Sequence, residues 1–61
     1  MLYDNVKNAA AKKGLSIAAL EKKAELSNGT IGKWRIASPN VDSLIRVAKV
    51  LNVSIKKLIE G

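Results

Sequence analysis

Apolar residues recur along this chain at spacings of three and four, in five short runs, and nowhere in the alternation of a half-buried strand. Leu2, Val6, Ala9 and Ala10 share a face of a helix expected over residues 2–13, with Lys12 and Lys13 well placed at its C-terminal end. Gly14 is the residue expected just past it, with Leu15 folding back onto the core. Ser16 stands where an N-cap is wanted, ahead of a helix over 17–24 whose inward stripe is Leu20 and Ala24. Ser27 stands likewise before a helix over 28–36 whose inward stripe is Ile31 and Trp34. Leu26, a lone apolar residue between the two, plugs the angle they make. Ala37, Ser38 and Pro39 then break the pattern as a loop. Asn40 caps a helix over 41–51, with Asp42 in its first turn and Val41, Leu44, Val47, Ala48 and Leu51 inward. Asn52 takes the left-handed residue after it, Val53 turns inward, and Ser54 caps a last short helix over 55–60. The pattern predicts one all-α domain over residues 1–61, a compact bundle of five short helices.

Length limits that bundle to a thin core, since 61 residues leave little reserve of stability. The only aromatic residues are Tyr3 and Trp34, so Leu, Ile, Val and Ala must fill the interior. Charge changes the picture more. Eleven Lys and Arg against five Asp and Glu leave +6, a dense positive charge that points to a polyanionic partner. Without Cys or His there is no disulfide framework, no thiolate metal site and no ordinary proton shuttle. No paired carboxylate cluster or Gly-rich loop joins a strand to a helix, so no enzyme is expected, and no cofactor or small-molecule ligand. Neither a signal peptide nor a transmembrane run is present, which makes a soluble cytoplasmic protein the expectation. A membrane-active cationic helix fits poorly, because the several caps and Pro39 describe a folded bundle.

The stretch SIAALEKKAELSNGTIGKWRI, residues 16–36, organises the rest. Its second helix, held by its back, presents Asn28, Gly29, Gly32 and Lys33 outward, a small, polar or basic face. On these residues, and on a later portion (WRIASPNVDSLIRVAKVLNVSIKKLI, residues 34–59) in register with them, the chain resembles the phage repressor and Cro family, the XRE-type helix-turn-helix regulators. The resemblance implies a lambda-repressor-like bundle that binds double-stranded operator DNA sequence-specifically, its third helix in the major groove. It implies a transcriptional regulator, a phage or prophage-type repressor acting as a homodimer, formed on DNA if not before, in the nucleoid of a bacterial or phage-infected cell. A protein-interaction module on the same fold, such as an antitoxin or anti-repressor, is the alternative, because fold does not settle function.

Three residues depart from the family pattern. Glu25 stands at the turn where relatives often carry Gly, and a left-handed backbone there costs about 1 kcal/mol, so a differently shaped turn is expected. Glu21 replaces a small residue, and its carboxylate is expected near the start of the third helix. Ile17 replaces a phosphate-touching Gln, leaving the Ser16 hydroxyl and the backbone amides of that helix start for the role.

Base reading is expected of Asn28, whose amide pairs bidentately with adenine, and of Lys33 one turn on, with Gly29 and Thr30 between them. Phosphate contact is expected of Ser16, Ile17, Ser27, Arg35, Ser38 and Asn40. Each of Gly29 and Gly32 costs close to 1 kcal/mol in a helix interior, and the missing side chains let the backbone approach the groove. Trp34 is read as core by its place on the Ile31 stripe, and the Lys22-Lys23 and Lys56-Lys57 pairs as solvated faces. The apolar surplus near the end, Val50 and Ile59 first, is expected to meet a symmetry mate.

Overall fold

The computed structural model describes residues 2–61. Its helices are α1 (Leu2–Lys12), α2 (Ile17–Lys23), a 3-10 helix (Ile31–Arg35), α3 (Val41–Leu51) and α4 (Ile55–Glu60), with no strand among the described residues. The expected five-helix bundle is thus four α-helices and one short 3-10 helix. The correction falls on the third segment, 28–36, whose first three residues are a turn and whose remainder is wound more tightly.

Side-chain caps start three of the α-helices. Ser16 Oγ accepts from the Ala19 N–H, Asn40 Oδ1 from the Ser43 N–H and Ser54 Oγ from the Lys57 N–H, at 3.0, 2.7 and 3.1 Å. Each satisfies one of the donors that a helix start leaves without an internal partner. The helix ends share a second device. After α1, α2 and α3 the chain passes through a left-handed residue, Gly14, Glu25 and Asn52 in turn, at φ 72, 59 and 57°. The next residue then donates back five positions: Leu15 to the Ala10 carbonyl, Leu26 to Glu21 and Val53 to Ala48, at 2.9, 2.8 and 3.1 Å. The turn at Glu25 is therefore not reshaped to avoid a left-handed residue. The chain keeps that geometry and carries the roughly 1 kcal/mol strain of a side chain there.

The core is one cluster drawn from every helix: Val6 and Ala10, Leu20 and Ala24, Ile31 and Trp34, Leu44, Val47, Ala48 and Leu51, and Leu58. Leu15, Leu26 and Val53 pack half-buried against it, as does Ile17. Val41 does not join them. It is 69% exposed, because the first residue of α3 projects beyond the stripe formed by Leu44, Val47, Ala48 and Leu51. Asn5 ties the two ends of the chain, its Nδ2 donating to the Leu58 carbonyl at 2.7 Å. Arg46 ties α3 to the turn after α2. Its guanidinium donates to the Glu25 carbonyl at 3.4 Å and lies 3.2 Å from the Asp42 carboxylate.

Candidate nucleic-acid interface

The 3-10 helix is fixed from behind by two apolar side chains and one acid. Ile31 is fully buried and Trp34 is 7% exposed, three residues apart. That spacing is one turn of a 3-10 helix, so the two stack on one row. The acid is Glu21 of α2, only 3% exposed. One of its carboxylate oxygens accepts from the Gly29 N–H at 3.2 Å and the other from the Ile31 N–H at 2.8 Å. These donors would otherwise be orphans at the helix start, and a buried carboxylate is tolerable only with such partners. No buried side-chain polar atom among the described residues lacks a partner. The expectation that the Glu21 carboxylate lies at the start of this segment agrees with that geometry.

Glu21 also explains why the segment is not an α-helix from Asn28. An α-helix capped by Ser27 would pair the Ile31 N–H with the Ser27 carbonyl. Glu21 takes that N–H instead, and the Ser27 carbonyl accepts from Thr30 at 3.1 Å, a tight turn. Gly29 carries the bend at φ 89°, where a side chain would be strained. Thr30 becomes the N-cap, without a side-chain cap bond, so the capping role expected of Ser27 is not observed. The Lys33 N–H is shared between the carbonyls of Gly29 and Thr30, at 3.3 and 3.2 Å, a bifurcated bond at the transition between turn and helix.

Three rows follow from the period of three. The inner row is Ile31 and Trp34. A flanking row is Gly32 and Arg35, where the Arg35 Nε donates to the Gly32 carbonyl at 3.3 Å and the guanidinium lies 5.1 Å from the centre of the Tyr3 ring. The third side carries Lys33, exposed, and Ile36 follows the helix as its exposed C-cap at φ −125°. Gly32, expected on the outward face, sits half-buried on the flank. No heavy atom lies within 4 Å of a Cβ built there, and its φ is not left-handed.

Of the residues expected to read bases, Asn28, Gly29 and Lys33 are exposed and Thr30 half-buried, all within the turn and the 3-10 helix. Of those expected at phosphates, Ser16, Ser27, Arg35, Ser38 and Asn40 are exposed, and Ile17 is half-buried against the core. Ser16 and Asn40 use their oxygens as helix caps, which leaves the Ser16 hydroxyl proton and the Asn40 amide N–H groups pointing elsewhere. Ile36, to which the sequence pattern assigns no role, is 90% exposed, which is large for an apolar side chain.

The surroundings favour an anion. No acidic residue stands between Glu25 and Asp42. Glu21 is spent on backbone amides, and Asp42 is paired with Arg46 in the ion pair found among the described residues. No cluster of metal-ligating side chains and no helix long and apolar enough to cross a membrane occurs among the described residues.

Neither a curated protein nor a solved structure matches the chain. A family does: the profile described as helix-turn-helix matches residues 6–58, from the first buried side chain of α1 to the last of α4. The match spans α2, the turn at Glu25 and the 3-10 helix, so the chain belongs to the XRE-type helix-turn-helix family of DNA-binding transcription regulators.

Proposed function

We propose that this domain is an operator-binding repressor of phage or prophage type, acting on double-stranded DNA as a homodimer in the cytoplasm. One observation carries the reading. The segment 28–36 is pinned from behind by Ile31, Trp34 and Glu21, while Asn28, Gly29 and Lys33 stand exposed in a stretch with no acid between Glu25 and Asp42. A rigid back and a short polar front are what a reading element in the major groove requires. Asn28 takes the adenine edge, Lys33 a guanine or a phosphate, and the bare backbone at Gly29 lets the segment approach closely, with Thr30 beside it. Ser16, the Ile17 backbone, Ser27, Arg35, Ser38 and Asn40 take the phosphates on either side, setting register without reading sequence.

So short a front reads few bases, which favours two half-sites read by two copies. Ile59, 58% exposed on α4, and half-buried Val50 on α3 supply the contact between copies. The test is selection of bound duplexes from a random pool with the full chain. Enrichment of a two-fold symmetric site, its halves about 34 Å apart, is the expected result. Failure to enrich any sequence would sink the operator reading and favour a protein-binding role for the fold. Enrichment of a lone half-site would remove the dimer.

A further inference from the structure

We infer that Ile36 is a specificity-determining residue that reads a thymine through its 5-methyl group. The inference deepens the reading above and rests on segment 28–36 being the DNA-facing one. Its first support is position. Ile36 caps the 3-10 helix, its N–H donating to the Lys33 carbonyl at 3.0 Å, and it stands one 3-10 turn beyond Lys33. Lys33 and Ile36 are both exposed and joined by that backbone bond, and Ile36 also borders Leu2, Trp34 and Arg35 around a shallow surface depression.

The second support is exposure. At 90% this side chain is the most exposed of the large apolar residues among those described. It makes no part of the core although Ala37 and Pro39 follow at once and offer a loop that could have folded it inward. Lone exposed apolar residues are common on protein surfaces, so exposure alone decides nothing. The neighbours decide. Lys33 and Arg35 flank Ile36, and no acid occurs from residue 26 to residue 41. An apolar tip in so cationic a setting suits a polyanion that carries apolar groups, and the thymine methyl is the apolar group of the major groove.

The experiment uses the duplex selected from the random pool, with each thymine replaced in turn by deoxyuridine, which lacks only the methyl. Binding is measured for the unaltered chain and for Ile36→Ala, whose fold circular dichroism checks. One replacement should weaken the unaltered chain about fourfold, the loss expected for one methyl leaving an apolar contact. Ile36→Ala should bind the parent duplex several-fold more weakly and be indifferent to that replacement, while its response at every other thymine is unchanged. Ile36→Val should keep the preference. If no replacement weakens the unaltered chain, or if Ile36→Ala keeps the same profile, the inference is overturned and operator binding stands. A chain that selects no duplex overturns both.

Discussion

The stretch from Asn40 to Gly61 and the stretch from Ser16 to Ala37 each hold two helical segments joined by a left-handed residue, yet they are built by different rules. In the first, the helix starts and ends answer to neighbours in sequence. Asn40 caps α3, Asn52 ends it, Ser54 caps α4, and the stripe of α3 meets the core in order. In the second, only α2 behaves so. Its partner is wound as a 3-10 helix because Glu21, eight and ten residues away, captures the Gly29 and Ile31 N–H groups. One half is a scaffold whose shape is local. The other is a reading element whose shape depends on one buried carboxylate.

The largest test of that contrast removes the apolar half of the support. Trp34→Ala should cost about 3–5 kcal/mol, comparable to the stability of so small a domain, and leave a chain largely unfolded by circular dichroism. A well-folded variant that had only lost DNA binding would show Trp34 to be a stacking residue.

Next comes the carboxylate. Glu21→Ala strands the buried Ile31 amide, at about 1–3 kcal/mol, and deprives the part-buried Gly29 amide of its acceptor at a smaller cost. Thermal or urea unfolding should register a loss of about 1–3 kcal/mol. Amide hydrogen exchange at Gly29 and Ile31 should quicken more than in α3 or α4. Equal acceleration everywhere would mean that Glu21 supports the fold at large and not this segment.

Backbone strain gives effects of opposite sign. Glu25→Gly relieves a left-handed side chain and should stabilise by about 1 kcal/mol, raising the melting temperature by roughly 4–8 °C. No change would place the strain elsewhere. The two glycines of the reading segment should then part company. Gly29→Ala, at φ 89°, should destabilise by about 1 kcal/mol. Gly32→Ala has an ordinary φ and open space, and should be neutral or stabilise by a few tenths of a kcal/mol. A loss at Gly32 matching that at Gly29 would contradict the 3-10 winding.

The same contrast explains what could be read from the sequence. Ser16, Asn40 and Ser54 were legible as caps, and Gly14 and Asn52 as left-handed stops, because each acts within three or four residues of itself. Ser27 carries the same cap signature and does not act as one, since the competing acceptor comes from another helix. Glu25 adopts a conformation its residue type disfavours because α2 must end where Leu26 can reach the core, and the Arg46 bond to its carbonyl reinforces that turn. The 3-10 winding had a faint signal: Ile31 and Trp34 are three apart, with Arg35 where an α-helix would place a further inward residue. Val41 misled the pattern because periodicity does not reveal where a helix outruns the core. Ile36 gives no signal in the sequence, because a lone apolar residue beside a loop has no local meaning until its exposure is known.

The claim that matters most is that the exposed front of segment 28–36 reads base sequence, and Asn28 tests it directly. Affinity is measured across a salt series for the unaltered chain and for Asn28→Ala, on the selected duplex and on a scrambled one. The unaltered chain should show a log–log slope of about −0.9 for each phosphate neutralised, on both duplexes. Asn28→Ala should cost about 1–3 kcal/mol on the selected duplex, almost nothing on the scrambled one, and leave both slopes unchanged. An equal loss on both duplexes would make Asn28 a phosphate contact, and binding flat in salt would contradict the account at its centre.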